Sequence, residues 1–316
     1  MSLRHNDKPV ILIVGPTAVG KTSLSIELAK NNNWEIISAD SRYLYRGMNI
    51  GTAKPTAQEL SSVKHHMINV TDPDETWSLP QFLEKTLELI QEIHARESIP
   101  IIVGGTGQYI RALTKGWRMP EFEPDQRLRN ILDAWGNEIG AIDLHCKLSI
   151  IDSEAAKFID ASNMRRTIRA LEVIFSTGFK FSELRRSEGP AYDYWIIGLT
   201  MERSKLYQHV DTRIDGMISQ GLMDEVKDLL SRGYDANLPA LSAIGYREMI
   251  QYIKGEIELE TAKALMRKNT RQLIRRQANW FKRTDPSIHW YETGPETYNL
   301  VVNDLIAAGV IGALHE

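Results

Sequence analysis

The chain has 316 residues, enough for about two domains, and its 42% hydrophobic and 25% charged residues are the balance of an ordinary globular protein. A formal net charge of -3 excludes a globally basic surface, so any nucleic-acid contact must be a local patch. The single cysteine, Cys146, excludes a disulfide framework and a cysteine-based zinc site, and points to a reduced, cytoplasmic setting. No stretch approaches the roughly 20 apolar residues of a membrane span. The early apolar run 10–14 is too short for a signal peptide and reads as a strand.

That strand, residues 9–14, runs into GPTAVGKT at 15–22, a full match to the phosphate-loop pattern G-x-x-x-x-G-K-[ST]. Residues 21–30 then read as a helix with Leu24, Ile26 and Leu28 available for packing. A loop between strand and helix aims successive backbone N–H groups at phosphate oxygens. The expected cradle is Gly15, Pro16, Thr17, Ala18, Val19, Gly20, Lys21 and Thr22. The glycines allow close approach, Lys21 supplies a point charge and Thr22 holds a magnesium ion. The pattern fixes phosphate binding, and leaves the phosphate compound open.

Residues 34–40 (WEIISAD) form a second predicted strand ending in Asp40, followed by a loop-rich stretch over 41–55. Residues 79–96 have helical periodicity, with Phe82, Leu83, Leu87, Ile90 and Ile93 on one face. A third strand, 99–103, is closed by Gly104-Gly105-Thr106-Gly107. Alternating buried strands and helices indicate an α/β fold with a parallel sheet, whose ligands lie at the carboxyl ends of the strands. Thr17, Asp40 and Thr106 are therefore expected to meet in one crevice. Asp40 there either holds magnesium or acts as a general base; its bland alternative is a turn cap. The glycines at 104–107 either admit a ligand or make a plain strand-to-helix turn. Gly104 stands where a typical ATPase carries a carboxylate, which weakens an ATPase reading. His65 and His66 are adjacent, which favours packing or hydrogen bonding over shared metal ligation.

The pattern changes at 119–124 (MPEFEP), and from 125 to about 177 it is helical with no obvious strand. Gly189-Pro190 marks a second break, after which 195–200 (WIIGLT) reads as a strand and 203–220 as a helix flanked by Arg203 and Arg213. Either arginine neutralises leaving-group charge or is simply solvated. Further helices are expected around 223–230, 244–252 and 262–282. The expected division is a catalytic core, 1–118 plus 195–316, and an inserted helical lobe, 119–194. Residues 261–284 carry many bases and no acid. At 100° per residue, Arg267, Arg271, Arg275 and Lys282 share one face, with Met266, Leu273 and Trp280 nearly opposite. This predicts a helix docked by its apolar side, presenting a basic stripe to a phosphate backbone. Arg165, Arg166 and Arg169 form a second basic cluster.

Taken together, these blocks resemble the tRNA dimethylallyltransferase (isopentenyltransferase) family over almost the whole chain. The resemblance rests on GPTAVGKT at 15–22, ISADSRYLYRGMNIGTAKP at 37–55, HHMINV at 65–70 and PIIVGGTGQYI at 100–110. It continues through RRTIRALEV at 165–173, RIDGMISQGLMDEV at 213–226, AIGYREM at 243–249 and TRQLIRRQANWF at 270–281. It implies a P-loop NTPase-like parallel-sheet core with an inserted helical lobe and C-terminal helices. It also implies dimethylallyl transfer from dimethylallyl diphosphate to N6 of the adenosine 3′ of the anticodon, with magnesium.

By that resemblance the loop 15–22 holds diphosphate and not a nucleoside triphosphate, Asp40 acts on the adenine amine and Arg213 helps hold the pyrophosphate. Contacts to tRNA fall to Asp40, Ser41, Arg42, Tyr43, Thr106 and Arg127, to Arg165, Arg166, Thr167, Ile168 and Arg169, and to Ser242, Ala243, Ile244, Gly245, Tyr246 and Arg247. The basic stripe adds Arg271 and Arg275. The implied partners are the tRNA anticodon stem-loop and the prenyl diphosphate, with no membrane and no obligate protein partner. Two departures are Asn69, where an aspartate is usual, and Gln108, where an apolar residue is common. The zinc-finger extension of eukaryotic relatives is missing, which implies the bacterial type. The rival readings are an adenylate isopentenyltransferase, a small-molecule kinase and a non-catalytic RNA-binding module.

Overall fold

The computed structural model describes residues 8–117, 125–184 and 189–312; the expected break at 119–124 lies outside them. By its contacts the chain divides into two compact units, Met1–Arg111 with Ala191–Glu316, and Ala112–Pro190.

The first unit is built on β1 (Val10–Val14), α1 (Lys21–Asn32), β2 (Glu35–Ser38), α2 (Ala57–Ser62), β3 (His65–His66), α3 (Leu79–Ala95), β4 (Pro100–Val103) and the start of α4 (Gly107–Lys115). The segment Ala112–Pro190 holds the rest of α4 and α5 (Gln126–Ile139), α6 (Ala141–Ile151), α7 (Ser153–Phe158), α8 (Met164–Thr177) and α9 (Phe181–Leu184). The chain then gives β5 (Tyr194–Thr200), α10 (Arg203–Ser219), α11 (Leu222–Ser231), a 3-10 turn at Ala240–Ser242, α12 (Tyr246–Ile253), α13 (Leu259–Trp280), β6 (Ile288–Glu292) and α14 (Thr297–Ala307).

The six strands form one sheet in the order β3-β2-β4-β1-β5-β6, with every pairing parallel. All five residues of β1 are buried, as a strand covered on both faces requires. Because β1 is central, the chain runs from it to one side of the sheet and later returns to the other. That reversal makes a crevice at the carboxyl end of β1, between the loops that leave β4 and β5. Leu24 and Leu28 of α1 pack into the core, and α3 buries Phe82, Leu83, Leu89, Ile90 and Ile93. Leu89 takes the depth expected of Leu87, which is only half-buried.

The two histidines are hydrogen-bonded as expected, though their strand was not expected, and several other expectations need correction. His65 and His66 are a two-residue edge strand, too short to leave a periodic signal; His66 Nε2 bonds Glu35 at 2.7 Å and His65 Nδ1 bonds the Val63 carbonyl at 2.8 Å. Tyr194, assigned to the lobe, is the first residue of β5. The C-terminal part is not only helical, since β6 adds a sheet edge and α14 packs Val301, Val302 and Leu305 into the core. Arg213 lies inside α10 and does not flank it.

The basic stripe is also largely engaged within the unit. Arg267 bonds Asp215 at 2.8 Å and Arg271 bonds Asp211 at 2.7 Å, both on α10, and the Arg271 guanidinium lies 5.0 Å from the Tyr207 ring centroid. Helix α13 buries Ala262, Met266, Ile274 and Gln277, while Arg275 is exposed and Lys282 falls past the helix end.

In the helical unit, Leu132, Leu144, Leu148, Ile159, Ile168, Leu171 and Ile174 form a separate core. Thr167 and Ile168, expected at a tRNA surface, are buried there. Arg165, Arg166 and Arg127 are exposed. Arg169 joins Arg129 on the fully buried carboxylate of Glu172, at 2.9 and 2.8 Å.

Glu35, at the start of β2, tests the sheet edge. Burial alone raises its pKa, but hydrogen bonds from Arg96, His66 and Lys64 prevail and hold it down to about 2, from an ordinary 4.5. A depressed carboxylate pKa contributes stability above the unfolded value and loses it as pH falls through the folded one. Glu35→Gln is therefore expected to cost about 2–3 kcal/mol at pH 7, with the gap to wild type closing between about pH 4.5 and 2 in chemical denaturation.

Candidate active site

Two cavities open at the carboxyl ends of the strands. The smaller, about 250 Å³, is lined by Thr17, Ala18, Val19, Gly20, Lys21 and Thr22 together with Asp40, Tyr43, Thr52, Gly104 and Arg213. The larger, about 630 Å³, is walled by polar groups, among them Ser41, Arg42, Thr106, Ser242 and Arg247, and by the apolar Val210, Ile214, Met217, Met266, Leu273 and Trp280. Thr17, Ala18, Asp40, Thr52 and Arg213 line both. Thr17, Asp40 and Thr106 thus meet as expected, because each directly follows the carboxyl end of one of three neighbouring parallel strands.

The smaller cavity is formed by the phosphate-loop pattern itself. Gly20 has φ +99°, a backbone state that glycine adopts without strain, and α1 starts at the next residue. Lys21 is half-buried, and its ammonium donates to the Gly15 and Pro16 carbonyls at 3.1 and 2.7 Å. Desolvation lowers its pKa from 10.5 to about 8; Asp40 opposes the shift and Arg213 adds to it. Charge in this cavity is therefore short of compensation from water, which favours a bound anion.

Asp40 is held by its own turn. Its Oδ1 accepts the Arg42 N–H at 2.9 Å, and its backbone N–H donates to Ser38 Oγ at 3.3 Å. The next residue, Ser41, donates its N–H to Thr106 Oγ1 at 3.2 Å, tying the loop after β2 to the loop after β4. The Arg42 guanidinium is spent on the Pro239 and Ala240 carbonyls at 3.0 and 3.2 Å, so it braces the 239–247 segment. The Tyr43 hydroxyl donates to the Ala53 carbonyl at 2.6 Å, and burial raises its pKa.

Arg213 is fixed through the turn at 49–54. It donates to the Thr52 carbonyl at 3.3 Å. Glu225 on α11 holds the turn, accepting the N–H groups of Asn49, Ile50 and Gly51 at 2.9 to 3.2 Å and the Tyr246 hydroxyl at 2.5 Å. Lys54 reaches Asn69 Oδ1 at 2.6 Å, and its pKa is lowered to about 8 by burial, against the attraction of Glu225 and Asp40.

The glycines at 104–107 make the strand-to-helix turn that was one of their two readings, between β4 and α4, and their packing is close. A Cβ at Gly104 would lie 2.3 Å from the Ala39 carbonyl oxygen, one at Gly105 2.2 Å from Gln277 Nε2, and one at Gly107 2.1 Å from the Trp280 ring. They admit neighbouring protein groups, not a ligand alone. Arg203, exposed at the first turn of α10, lines neither cavity.

In the matched block 242–247, Ser242, Ala243, Ile244 and Arg247 line the larger cavity. Gly245 and Tyr246 are buried instead, with Gly245 at φ +99° opening α12. Arg271 and Arg275 are not among the lining residues, whereas Arg276 is. The sequence pass overlooked Glu225 and Gln277. The signal for Gln277 was present, as a lone polar residue on the apolar side of α13 between Leu273 and Trp280. Glu225 lies in the matched block 213–226, but nothing local marks its role, since the backbone groups it holds lie some 175 residues earlier.

Comparison with known proteins follows from this geometry. The family model described as IPP transferase matches residues 43–284. The chain is 47% identical over 275 residues to a tRNA dimethylallyltransferase of Roseiflexus sp. (strain RS-1), covering 87% of this chain and 90% of that one. Among solved structures, the full-length tRNA isopentenylpyrophosphate transferase from Bacillus halodurans superposes with a TM-score of 0.70 at 41% identity, over 96% of this chain and 97% of that one. A eukaryotic dimethylallyltransferase acting on tRNA gives a TM-score of 0.81 at 27% identity, over 96% of this chain and 80% of that one.

The Lys21 ammonium sets a pH limit on anion binding. Inorganic pyrophosphate affinity, measured by calorimetry as the ratio of wild type to Lys21→Met, is expected to be level below pH 8. Above it the ratio should fall by up to about tenfold per pH unit as the free lysine deprotonates.

Proposed function

The chain belongs to the IPP transferase family, and we propose that it transfers the dimethylallyl group of dimethylallyl diphosphate to N6 of the adenosine 3′ of the anticodon in tRNA. One observation carries this reading: Asp40 and Arg213 line both cavities. Two compartments joined at a carboxylate and a guanidinium suit a reaction with two substrates and one bond exchanged between them. The loop compartment takes the diphosphate. The larger compartment takes the adenine and, along Val210, Ile214 and Met217, offers the apolar wall that a prenyl chain needs.

An adenine amine is a weak nucleophile because its lone pair is delocalised into the ring. In the proposed reaction the N6 nitrogen forms a bond to the allylic carbon, the C–O bond to diphosphate breaks with its electron pair, and the N6 proton passes to the Asp40 carboxylate. The free N–H groups of the phosphate loop, Lys21 and Arg213 face the negative charge as it grows on the departing diphosphate. No phosphoryl group moves, so a carboxylate at position 104 has no task. A packed loop there is compatible with this chemistry, and it gives a kinase no comparable support.

The residues around the smaller cavity fit a magnesium ion. Their side-chain oxygens are hard hydroxyls with one carboxylate, Asp40, which suits an ion that keeps most of its shell on phosphate and water. Thr22 would hold it against the diphosphate, and when bound it neutralises leaving-group charge. For tRNA, exposed or crevice-lining members of the matched blocks remain suitable contacts, among them Ser41, Thr106, Arg127, Arg165, Arg166, Ser242, Ile244 and Arg247. An anticodon loop is single-stranded, so presenting one base to the crevice costs little unpairing.

Mass analysis of tRNA nucleosides after incubation with dimethylallyl diphosphate, magnesium and unmodified tRNA tests the reading. Dimethylallyladenosine is expected without ATP, and Asp40→Asn should lower kcat by about 100-fold or more while tRNA affinity stays within about twofold. ATP turnover with no prenylated nucleoside would overturn it.

A further inference from the structure

We propose that Gln277 is a positioning residue that sets the phosphate loop for its diphosphate. It lies in the last turn of α13 and is 7% exposed. Its Oε1 accepts the Thr17 N–H at 2.9 Å, 260 residues away in sequence, and its Nε2 donates to the Gly105 carbonyl at 3.1 Å. One side-chain amide thus joins the loop after β1 to the loop after β4. Both contacts fix its orientation: reversed, it would set a donor against an N–H and an acceptor against a carbonyl.

The packing around it leaves little freedom. A Cβ at Gly105 would overlap Gln277 Nε2, and two residues further on Gly107 lies against the Trp280 ring, with the Arg111 guanidinium 5.8 Å from that ring's centroid. The C-terminal turn of α13 is therefore seated on a glycine floor, and the amide enters at a depth where a partnerless backbone N–H or carbonyl is costly.

Two consequences follow for the site. The Thr17 N–H is already satisfied, so the donors left for phosphate begin at Ala18. And the loop that Gln277 grips at Gly105 continues directly to Thr106, whose hydroxyl holds the residue beside Asp40. The distance between leaving group and base is thereby set through one amide. Rotation of that amide would move the cradle relative to the carboxylate, where misplacement by about an ångström is enough to cost rate. This assignment rests on the phosphate loop holding the diphosphate.

The test compares wild type, Gln277→Met, Gln277→Ala, Gln277→Glu, Gly105→Ala, Gly105→Ala combined with Gln277→Ala, and Lys21→Met. Binding of magnesium pyrophosphate is measured by calorimetry, and KM for each substrate by prenylation kinetics. Gln277→Met is expected to weaken pyrophosphate and raise the KM for dimethylallyl diphosphate by about tenfold, leaving the KM for tRNA within about twofold. Gln277→Glu keeps an acceptor for Thr17 but sets a buried negative charge against the Gly105 carbonyl and beside the phosphate loop, and should bind pyrophosphate more weakly than Gln277→Met.

Gly105→Ala displaces the same amide without altering it and should give the same split between substrates. Added to Gln277→Ala, it should cost little more, because the contact is already gone. A purely structural role would lower the melting temperature and leave both KM values unchanged. Pyrophosphate affinity and KM unaltered in Gln277→Met and Gly105→Ala would overturn the assignment. Should Gln277→Met fail to fold, Gly105→Ala decides alone. Equal pyrophosphate binding by wild type and Lys21→Met would instead overturn the diphosphate reading, and this proposal with it.

Discussion

At the carboxyl end of this sheet, main chain lies directly against main chain. A side chain at Gly15 would meet the Leu199 carbonyl at 2.6 Å, and one at Gly104 the Ala39 carbonyl at 2.3 Å. The loops leaving β1, β2, β4 and β5 can share one small volume only because these positions carry no Cβ. Everything else about the site depends on that approach. It brings the backbone of the phosphate loop, the Asp40 carboxylate and Arg213 together from three parts of the chain. It also gives a physical reason why position 104 carries no acid: a carboxylate there would have no space. The chemistry is therefore restricted by packing before any substrate enters.

Rigidity is supplied from outside the loops. Three helices reach in, each with one polar side chain. Gln277 of α13 ties the phosphate loop to Gly105. Glu225 of α11 caps the turn at 49–51, which in turn receives Arg213 of α10 through the Thr52 carbonyl. Each of these side chains, Gln277 buried and Glu225 and Arg213 half-buried, ends on a backbone partner, so the braces satisfy main-chain groups of the loops. The same bonds set the relative places of the phosphate loop, Thr106 and Arg213. Stability of the crevice and alignment of its reacting groups are therefore one property, and a substitution at a brace acts on both.

The local parts of this design were legible in the sequence, and the long-range parts were not. The phosphate loop is contiguous, so its pattern, its strand and its helix could be read together. Asp40 and Thr106 followed from one topological rule about strand ends. The charge on α13 misled because its partners, Asp211 and Asp215, lie more than fifty residues earlier, and periodicity shows which residues share a face but not what covers it. Matched blocks misled in a related way. Thr167, Ile168 and Tyr246 sit inside segments read as tRNA contacts, yet each is buried because a segment at a surface still has an inner face. The two-residue strand at His65–His66 carries no periodic signal at all, and appears only through its pairing with β2.

A structure with a non-hydrolysable prenyl diphosphate analogue and an anticodon stem-loop would test the shared crevice most directly. The diphosphate should rest on the N–H groups of residues 18–22, with the Asp40 carboxylate within roughly 3 Å of the adenine N6. A diphosphate bound elsewhere, or a base seated out of reach of Asp40, would contradict it.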